Sequence, residues 1–204
     1  VPQSRLEAFL SECQKVIREQ YPSVQNNPDF VACINERHFD RVKAYIDEAR
    51  GNGTRVIPLC PEGEDWSSRE THKIPLHLIV DPDDSLACMR DEIFGAVLNI
   101  KPYDDVNDAI RYINQRERPL ALYHFGNNKE EQNKVLQETI SGGVSLNAVT
   151  MHVACDDMPF GGIGHSGMGN YRGYDGFRTF SHARGVYKQG FIDLAKLAGT
   201  LPPY

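Results

Sequence analysis

The sequence has no run of apolar residues approaching the roughly 18–20 that a helix needs to cross a bilayer. It has no excess of positive charge. Lys and Arg number 22 against 28 Asp and Glu, a net charge of −6. That balance argues against nucleic acid or an anionic membrane as a partner. Cysteine is sparse and shows no pairing pattern. Cys13, Cys33, Cys60, Cys88 and Cys155 are odd in number and scattered, with no C-x-x-C among them. A disulfide framework is therefore not expected, and a reducing, cytoplasmic compartment is. No secretory leader is expected either, because Val1-Pro2-Gln3-Ser4-Arg5 runs straight into an amphipathic pattern. Low complexity and disorder are excluded by a composition that is 40% hydrophobic and 25% charged. What is present is 204 residues, enough for one large domain or two small ones with a real core.

Periodicity predicts an α/β fold. Ser4 and Glu7 form an S-x-x-E capping box ahead of Leu6, Phe9, Leu10, Cys13, Val16 and Ile17 at helical spacing. A second helix should carry Phe39, Val42, Tyr45, Ile46 and Ala49 on one face and stop at Gly51-Asn52-Gly53. Strands are expected at 55–59, 74–80, 96–100, 120–124 and 144–149, with a turn-rich stretch from Cys60 to Arg69. A short helix should cover Ser85 to Glu92. Later helices should start at Asp104 or Asp105 and at Asn127 or Asn128, the last running through Val135, Leu136 and Ile140. Strand, helix, strand, helix, strand from Ala96 to Val149 reads as crossover units in a mostly parallel sheet. Seven of the 17 glycines lie between Gly161 and Gly176, so that stretch should be loop. Phe177 to Ser181 and Val186 to Lys188 read as strand again.

Four segments are candidates for chemistry. Gly162-Ile163-Gly164-His165-Ser166-Gly167 matches G-x-G-x-x-G literally. It has no strand before it, no helix after it and no acidic residue about 20 positions on, so a dinucleotide fingerprint is disfavoured. His152, Cys155, Asp156 and Asp157 group three metal-ligand types, but one local cluster without a second pair reads better as a solvated turn. Cys60 and Cys155 lie in loops and are the better nucleophile candidates, yet no histidine is fixed beside either. Asp91-Glu92-Ile93-Phe94-Gly95 ends a helix and leads into a strand, where α/β folds bind ligands. A carboxylate there could accept from a ligand hydroxyl, and a solvated acidic pair beside a core Phe is the plainer alternative.

Taken together, the segments resemble the aldehyde dehydrogenase superfamily. Glu92-Ile93-Phe94-Gly95 resembles its E-I-F-G-P-V motif, with Ala96 in place of the usual proline. Ser141-Gly142-Gly143-Val144-Ser145-Leu146-Asn147 resembles its S-G-x-V-x-x-N strand entry. Pro159-Phe160-Gly161-Gly162 through Ser166-Gly167-Met168-Gly169 resembles its P-F-G-G-x-x-x-S-G-x-G loop. The form of that loop and the tail through Phe177, Thr179, Phe180, Ser181 and His182 are similar to the class 3 branch, and within it to bacterial coniferyl aldehyde dehydrogenases. The resemblance implies oxidation of an aldehyde, plausibly aromatic, to the acid with NAD or NADP. A cysteine thiolate would attack the carbonyl and a glutamate would activate water. It further implies that Glu92 binds the ribose next to the nicotinamide and that Phe94 packs near the nicotinamide ring. Phe160 would line the aldehyde tunnel with Met151 and His152, and Asn147 would give structural support.

The departures from the family pattern carry as much weight. The family's G-Q-x-C nucleophile segment and L-E-L-G-G base segment have no match, so no catalytic residue is assigned in this chain. The expectation is the C-terminal part of such an enzyme, inactive alone. Residues 1–176 would form part of the catalytic domain, and 177–204 an oligomerisation strand and tail that makes a homodimer or higher homo-oligomer. Two alternatives stand beside it: a non-catalytic, self-associating assembly module, and a cysteine hydrolase using Cys60 or Cys155.

Overall fold

The computed structural model describes residues 1–67 and 69–201. Ser68 of the expected turn-rich stretch, and residues 202–204 of the expected tail, lie outside the described residues. The chain divides into two compact units, Val1–Arg111 and the residues from Tyr112 onward.

In the first unit, α1 (Leu6–Gln20), α2 (Glu36–Gly51) and α3 (Ala87–Arg90) surround a sheet of β1 (Arg55–Pro58), β2 (His77–Val80) and β3 (Val97–Ile100). The sheet order is β1-β2-β3. β1 pairs antiparallel with β2, Arg55 opposite Val80, and β2 pairs parallel with β3, His77 opposite Val97. The period of two along β2 decides which helix covers which face. Leu78 and Val80 pack with Leu6 and Leu10 of α1 and with Ile100. Ile79 points the other way, into a cluster with Tyr45 and Ala49 of α2. Phe39, Val42 and Ile46 of α2 meet Ile74 in a third cluster. Every β2 residue is buried, as a central strand with both faces covered must be. Phe39, Val42, Ile46 and Ile79 are wholly buried. Each contributes about 1.5–3 kcal/mol relative to an exposed side chain.

The α2 stripe matches the sequence expectation residue for residue. Asn35 caps it, its side chain accepting from the His38 amide at 3.0 Å. The expected capping box of α1 is absent. Ser4 lies within a 3₁₀ turn over Gln3–Arg5, and the cap residue, Arg5, makes no side-chain bond. Glu7 is drawn away by Arg55, whose Nη1 donates to Glu7 Oε1 at 2.6 Å. The turn is held instead by backbone bonds, Gln3 N–H donating to the Tyr103 carbonyl and Tyr103 N–H to that of Val1.

The second unit contains β4 (Ala121–His124), α5 (Lys129–Glu138) and β5 (Gly143–Leu146); α4 (Val106–Asn114) leads into it. β4 and β5 are parallel, Ala121 opposite Gly143, with α5 as the crossover. Asp105 and Asn128 make the caps expected of them, Asp105 accepting from Asn107 N–H at 2.7 Å and Asn128 from Glu130 N–H at 3.0 Å. The parallel strands fall in two ladders, β2-β3 and β4-β5, rather than the single ladder expected from Ala96 to Val149. Val135 is buried, whereas Leu136 and Ile140 are exposed and α5 ends at Glu138.

The tail requires a correction. Phe177 to Ser181 was expected as strand, but α7 spans Gly173–Thr179, and Val186 to Lys188 lies in neither helix nor strand. A strand exists only where a ladder partner is present, and no described residue pairs with this segment. The remaining short helices are α6 (Met151–Ala154) and α8 (Leu194–Leu197).

His77 gives the first unit a pH dependence. Its ring has no solvent exposure and sits edge-on to Trp66 at 4.9 Å between centroids. Burial lowers its pKa from 6.5 to about 4. The folded state therefore keeps the ring neutral where the unfolded state protonates it. Stability should be unaffected above pH 6.5 and should fall as pH drops from 6.5 towards 4, by about 3 kcal/mol in all. Urea unfolding of the first unit at pH 7.5 and pH 4.5 checks this, and His77→Gln should remove most of that slope.

Candidate functional site

Two of the residues singled out in the sequence lie in the first unit. α3 ends at Arg90, and Asp91 to Gly95 has no regular structure before β3. Glu92 is exposed, and among the described residues its carboxylate takes part in no hydrogen bond or ion pair. Phe94 is 79% exposed with φ of 44°, in the left-handed region that a bulky residue rarely enters. The alternative of a core Phe is thereby excluded. Ile93 packs into the cluster of Tyr45, Ile79 and Leu86. Gly95 lies so close to α2 that a Cβ on it would stand 2.4 Å from Val42 Cγ2. The segment is thus pinned at Ile93 and Gly95 while Glu92 and Phe94 face water. A free carboxylate beside an exposed ring can accept from paired hydroxyls and offer a flat apolar face.

The other three lie in the second unit. Met151, at the start of α6, is exposed. His152 is buried, and its Nδ1 shares a hydrogen bond with Ser145 Oγ at 2.9 Å. Its ring lies between Tyr123 and Phe160, at centroid distances of 5.8 and 6.1 Å. His152 therefore backs Phe160 from inside and does not itself reach the surface. Phe160 is half-buried and continues the row to Tyr171, edge-on at 5.7 Å, where the Arg172 guanidinium stands 5.4 Å from the Phe160 ring centroid. Two backbone bonds join Phe160 and Tyr171 into a bridge, at 2.9 and 3.0 Å.

The glycine-rich segment is the loop closed by that bridge. Gly161 and Gly162 are there for close approach: a Cβ on Gly161 would lie 2.0 Å from the Gly169 carbonyl oxygen. Ser166 Oγ accepts from Ile163 N–H at 2.9 Å and donates to the Ile163 carbonyl at 3.0 Å, closing the turn on itself. No α-helix of useful length opens from it, so the literal G-x-G-x-x-G lacks the helix terminus that binds a pyrophosphate. Asn147 joins the ends of β4 and β5. Its Oδ1 accepts from Gly126 N–H at 2.8 Å and its Nδ2 donates to the Gly126 carbonyl at 3.0 Å.

The other candidates bring little chemistry together. Among the described residues, no three His, Cys, Asp or Glu side chains are placed to share a metal ion. Burial pushes the Cys13, Cys33, Cys60 and Cys88 thiols up, and the Glu64 charge raises Cys60 further. A raised pKa disfavours the thiolate a nucleophile needs, which counts against Cys60. Cys155 is exposed.

Sequence reasoning missed the side chains that hold Asp91 to Gly95. Tyr45 donates from its hydroxyl to Asp91 Oδ2 at 3.0 Å, and Arg41 donates to the Glu92 carbonyl at 3.2 Å. Tyr45 was visible only as part of an apolar stripe. The four-residue spacing of Arg41 and Tyr45 was the available signal, and nothing local points either at position 91 or 92.

Comparison with known proteins gives one answer. Residues 1–186 match the aldehyde dehydrogenase family. A probable coniferyl aldehyde dehydrogenase of Caulobacter vibrioides is 50% identical over 203 residues, 100% of this chain and 42% of that protein. A coniferyl aldehyde dehydrogenase of a Pseudomonas species is 43% identical over 99% of this chain and 42% of its own length. The chain thus spans about two fifths of these relatives. Among solved structures, a substrate-bound Staphylococcus aureus AldH superposes with a TM-score of 0.80 at 29% identity, over 96% of this chain and 43% of that one. A Mycobacterium tuberculosis aldehyde dehydrogenase complexed with NAD+ gives 0.73 at 26% identity, over 88% and 37%.

The loop closure yields a test. Gly161→Ala must push the Gly169 backbone aside and should cost about 1–3 kcal/mol in urea unfolding. An unchanged midpoint would show that the close approach is not needed.

Proposed function

The chain belongs to the aldehyde dehydrogenase family, and on that premise we propose that it serves an NAD(P)-dependent oxidation of an aldehyde to a carboxylic acid. The observation that carries this is the Asp91–Gly95 segment, in which the unpartnered Glu92 carboxylate precedes Ile93 and the exposed Phe94 ring lies between the pinned Ile93 and Gly95. Those features fit a nicotinamide dinucleotide. Glu92 would accept from the ribose hydroxyls beside the nicotinamide, and Phe94 would rest against the nicotinamide ring. When bound, the dinucleotide supplies the acceptor for a hydride.

On the substrate side, Phe160 would line the aldehyde path with Met151 beside it, while His152 sets the tilt of Phe160 from behind. A row of aromatic rings suits an aromatic aldehyde, and the coniferyl aldehyde dehydrogenases among the relatives point the same way. No residue here matches the family's nucleophile or base. The part played by 1–176 is therefore to shape cofactor and substrate surfaces. For 177–204 the role is association into a homodimer or higher homo-oligomer, supported by exposed Phe180, Val186, Tyr187 and Phe191. A cytoplasmic setting is supported by five free cysteines. Among the described residues, no helix is long and apolar enough to cross a membrane.

Two outcomes are expected. The 204-residue chain by itself should turn over no coniferyl aldehyde with NAD+ or NADP+, monitored at the absorbance of the reduced nicotinamide; turnover would remove the reading of where the nucleophile lies. In the full-length dehydrogenase, Glu92→Gln should raise the KM for the dinucleotide roughly three- to tenfold, the loss of one charge-assisted hydrogen bond at an accessible site.

A further inference from the structure

The segment Asp91–Gly95 must hold its shape without a helix or ladder of its own. Part of that work falls to apolar packing, at Ile93 and at Gly95 against Val42. Glu92, which precedes both, is exposed, and its position is set by its main chain. Arg41 Nη1 donates to the Glu92 carbonyl at 3.2 Å and to the Tyr45 hydroxyl at 3.1 Å. Arg41 Nη2 meets His38 Nδ1 at 3.3 Å, and the guanidinium lies over the Tyr45 ring, 5.4 Å from its centroid. The Tyr45 hydroxyl in turn donates to Asp91 Oδ2 at 3.0 Å. The planar, multi-donor guanidinium is thus fixed by the Tyr45 hydroxyl, the Tyr45 ring and the His38 ring, and its reach to Glu92 is fixed with it. His38, Arg41 and Tyr45 stand on successive turns of α2 along the edge of its buried stripe, to which Tyr45 belongs, so the clamp inherits the rigidity of that packing.

We infer that Arg41 is a positioning residue for the cofactor-facing carboxylate: it clamps the Glu92 main chain through the Tyr45–Asp91 network, leaving the Glu92 side chain free to engage a ribose diol. The inference rests on the reading of Glu92 given above. Loss of Arg41 leaves the carboxylate chemically intact but lets its anchor wander, so the cost falls on dinucleotide affinity. An ordered acceptor gives up less conformational entropy when it binds.

The test compares Arg41→Ala, Arg41→Lys and Glu92→Ala. Amide hydrogen exchange on the chain reads the segment directly. Arg41→Ala is expected to speed exchange roughly tenfold at Asp91 and Val97, whose amides donate to the Ala87 and Gly95 carbonyls at the two ends of the segment, while β2 amides keep their protection, and Arg41→Lys to recover part of the loss. In the full-length dehydrogenase, Arg41→Ala should raise the dinucleotide KM about fivefold with kcat changed less than about twofold. Combined with Glu92→Ala it should add little, because both act through one carboxylate. Unchanged exchange, or fully additive effects, would overturn the inference. If Glu92→Ala raises the KM and Arg41→Ala does not, the clamp fails while the ribose reading stands. If Glu92→Ala leaves the KM unchanged, the ribose reading fails and takes the inference with it. Should Arg41→Ala not fold, Tyr45→Phe removes the hydroxyl that joins Arg41 to Asp91 and is read by the same exchange measurement, where unchanged exchange overturns the inference.

Discussion

The apolar stripe of α2 is the surface on which the first unit is assembled. Phe39, Val42 and Ile46 meet Ile74, while Tyr45 and Ala49 meet Ile79 and Leu86. Because that stripe is covered on its whole length, the helix cannot rotate without exposing core, and everything attached to its flank is placed by it. Val42 is the junction. It belongs to the buried stripe, and it is also the side chain against which Gly95 lies. Core packing and the shape of the Asp91–Gly95 segment are therefore one problem, solved at one residue. The surface ion pairs contribute little beside this. Arg69 with Glu36 and Asp40, and Lys43 with Asp47, are exposed pairs in high dielectric.

The second unit is held differently. Leu122 and Val135 are its buried large apolar side chains, and polar ties do much of the remaining work. His124 Nε2 meets Glu131 Oε1 at 2.9 Å, linking β4 to α5. Asn147 makes two bonds to Gly126, and Thr139 Oγ1 donates to the Val135 carbonyl at 2.7 Å. Its aromatic row from Tyr123 to Tyr171 depends on the loop after Phe160 being able to fold back within van der Waals range of itself, which the paired glycines permit.

How much of this could be read in advance varied with the range of the physics. Local rules performed well. The α2 stripe, the Asp105 and Asn128 caps and the glycine-rich loop follow from spacing and side-chain chemistry within a few residues. Ser4 did not cap α1, because Glu7 found a partner 48 residues away in Arg55. The tail strand was read from β-prone residues, but a strand is a property of a pair. Motif resemblance singled out Glu92, Phe94 and Phe160 as candidates, and it left open what each rests on. Arg41 bonds across 51 residues to a carbonyl, a group every residue has, so no sequence pattern could single it out.

At position 92, the part that is held and the part that faces outward are different parts of one residue. The clamp grips a carbonyl oxygen, which is the same for all twenty amino acids, while the part that would meet a ligand is the side chain. A change of side chain at 92 therefore leaves its support in place. The site is modular in the sense an engineer would use: the socket stays the same when the fitting is exchanged. A lineage could exchange the side chain at 92 by single substitutions without first repairing the fold.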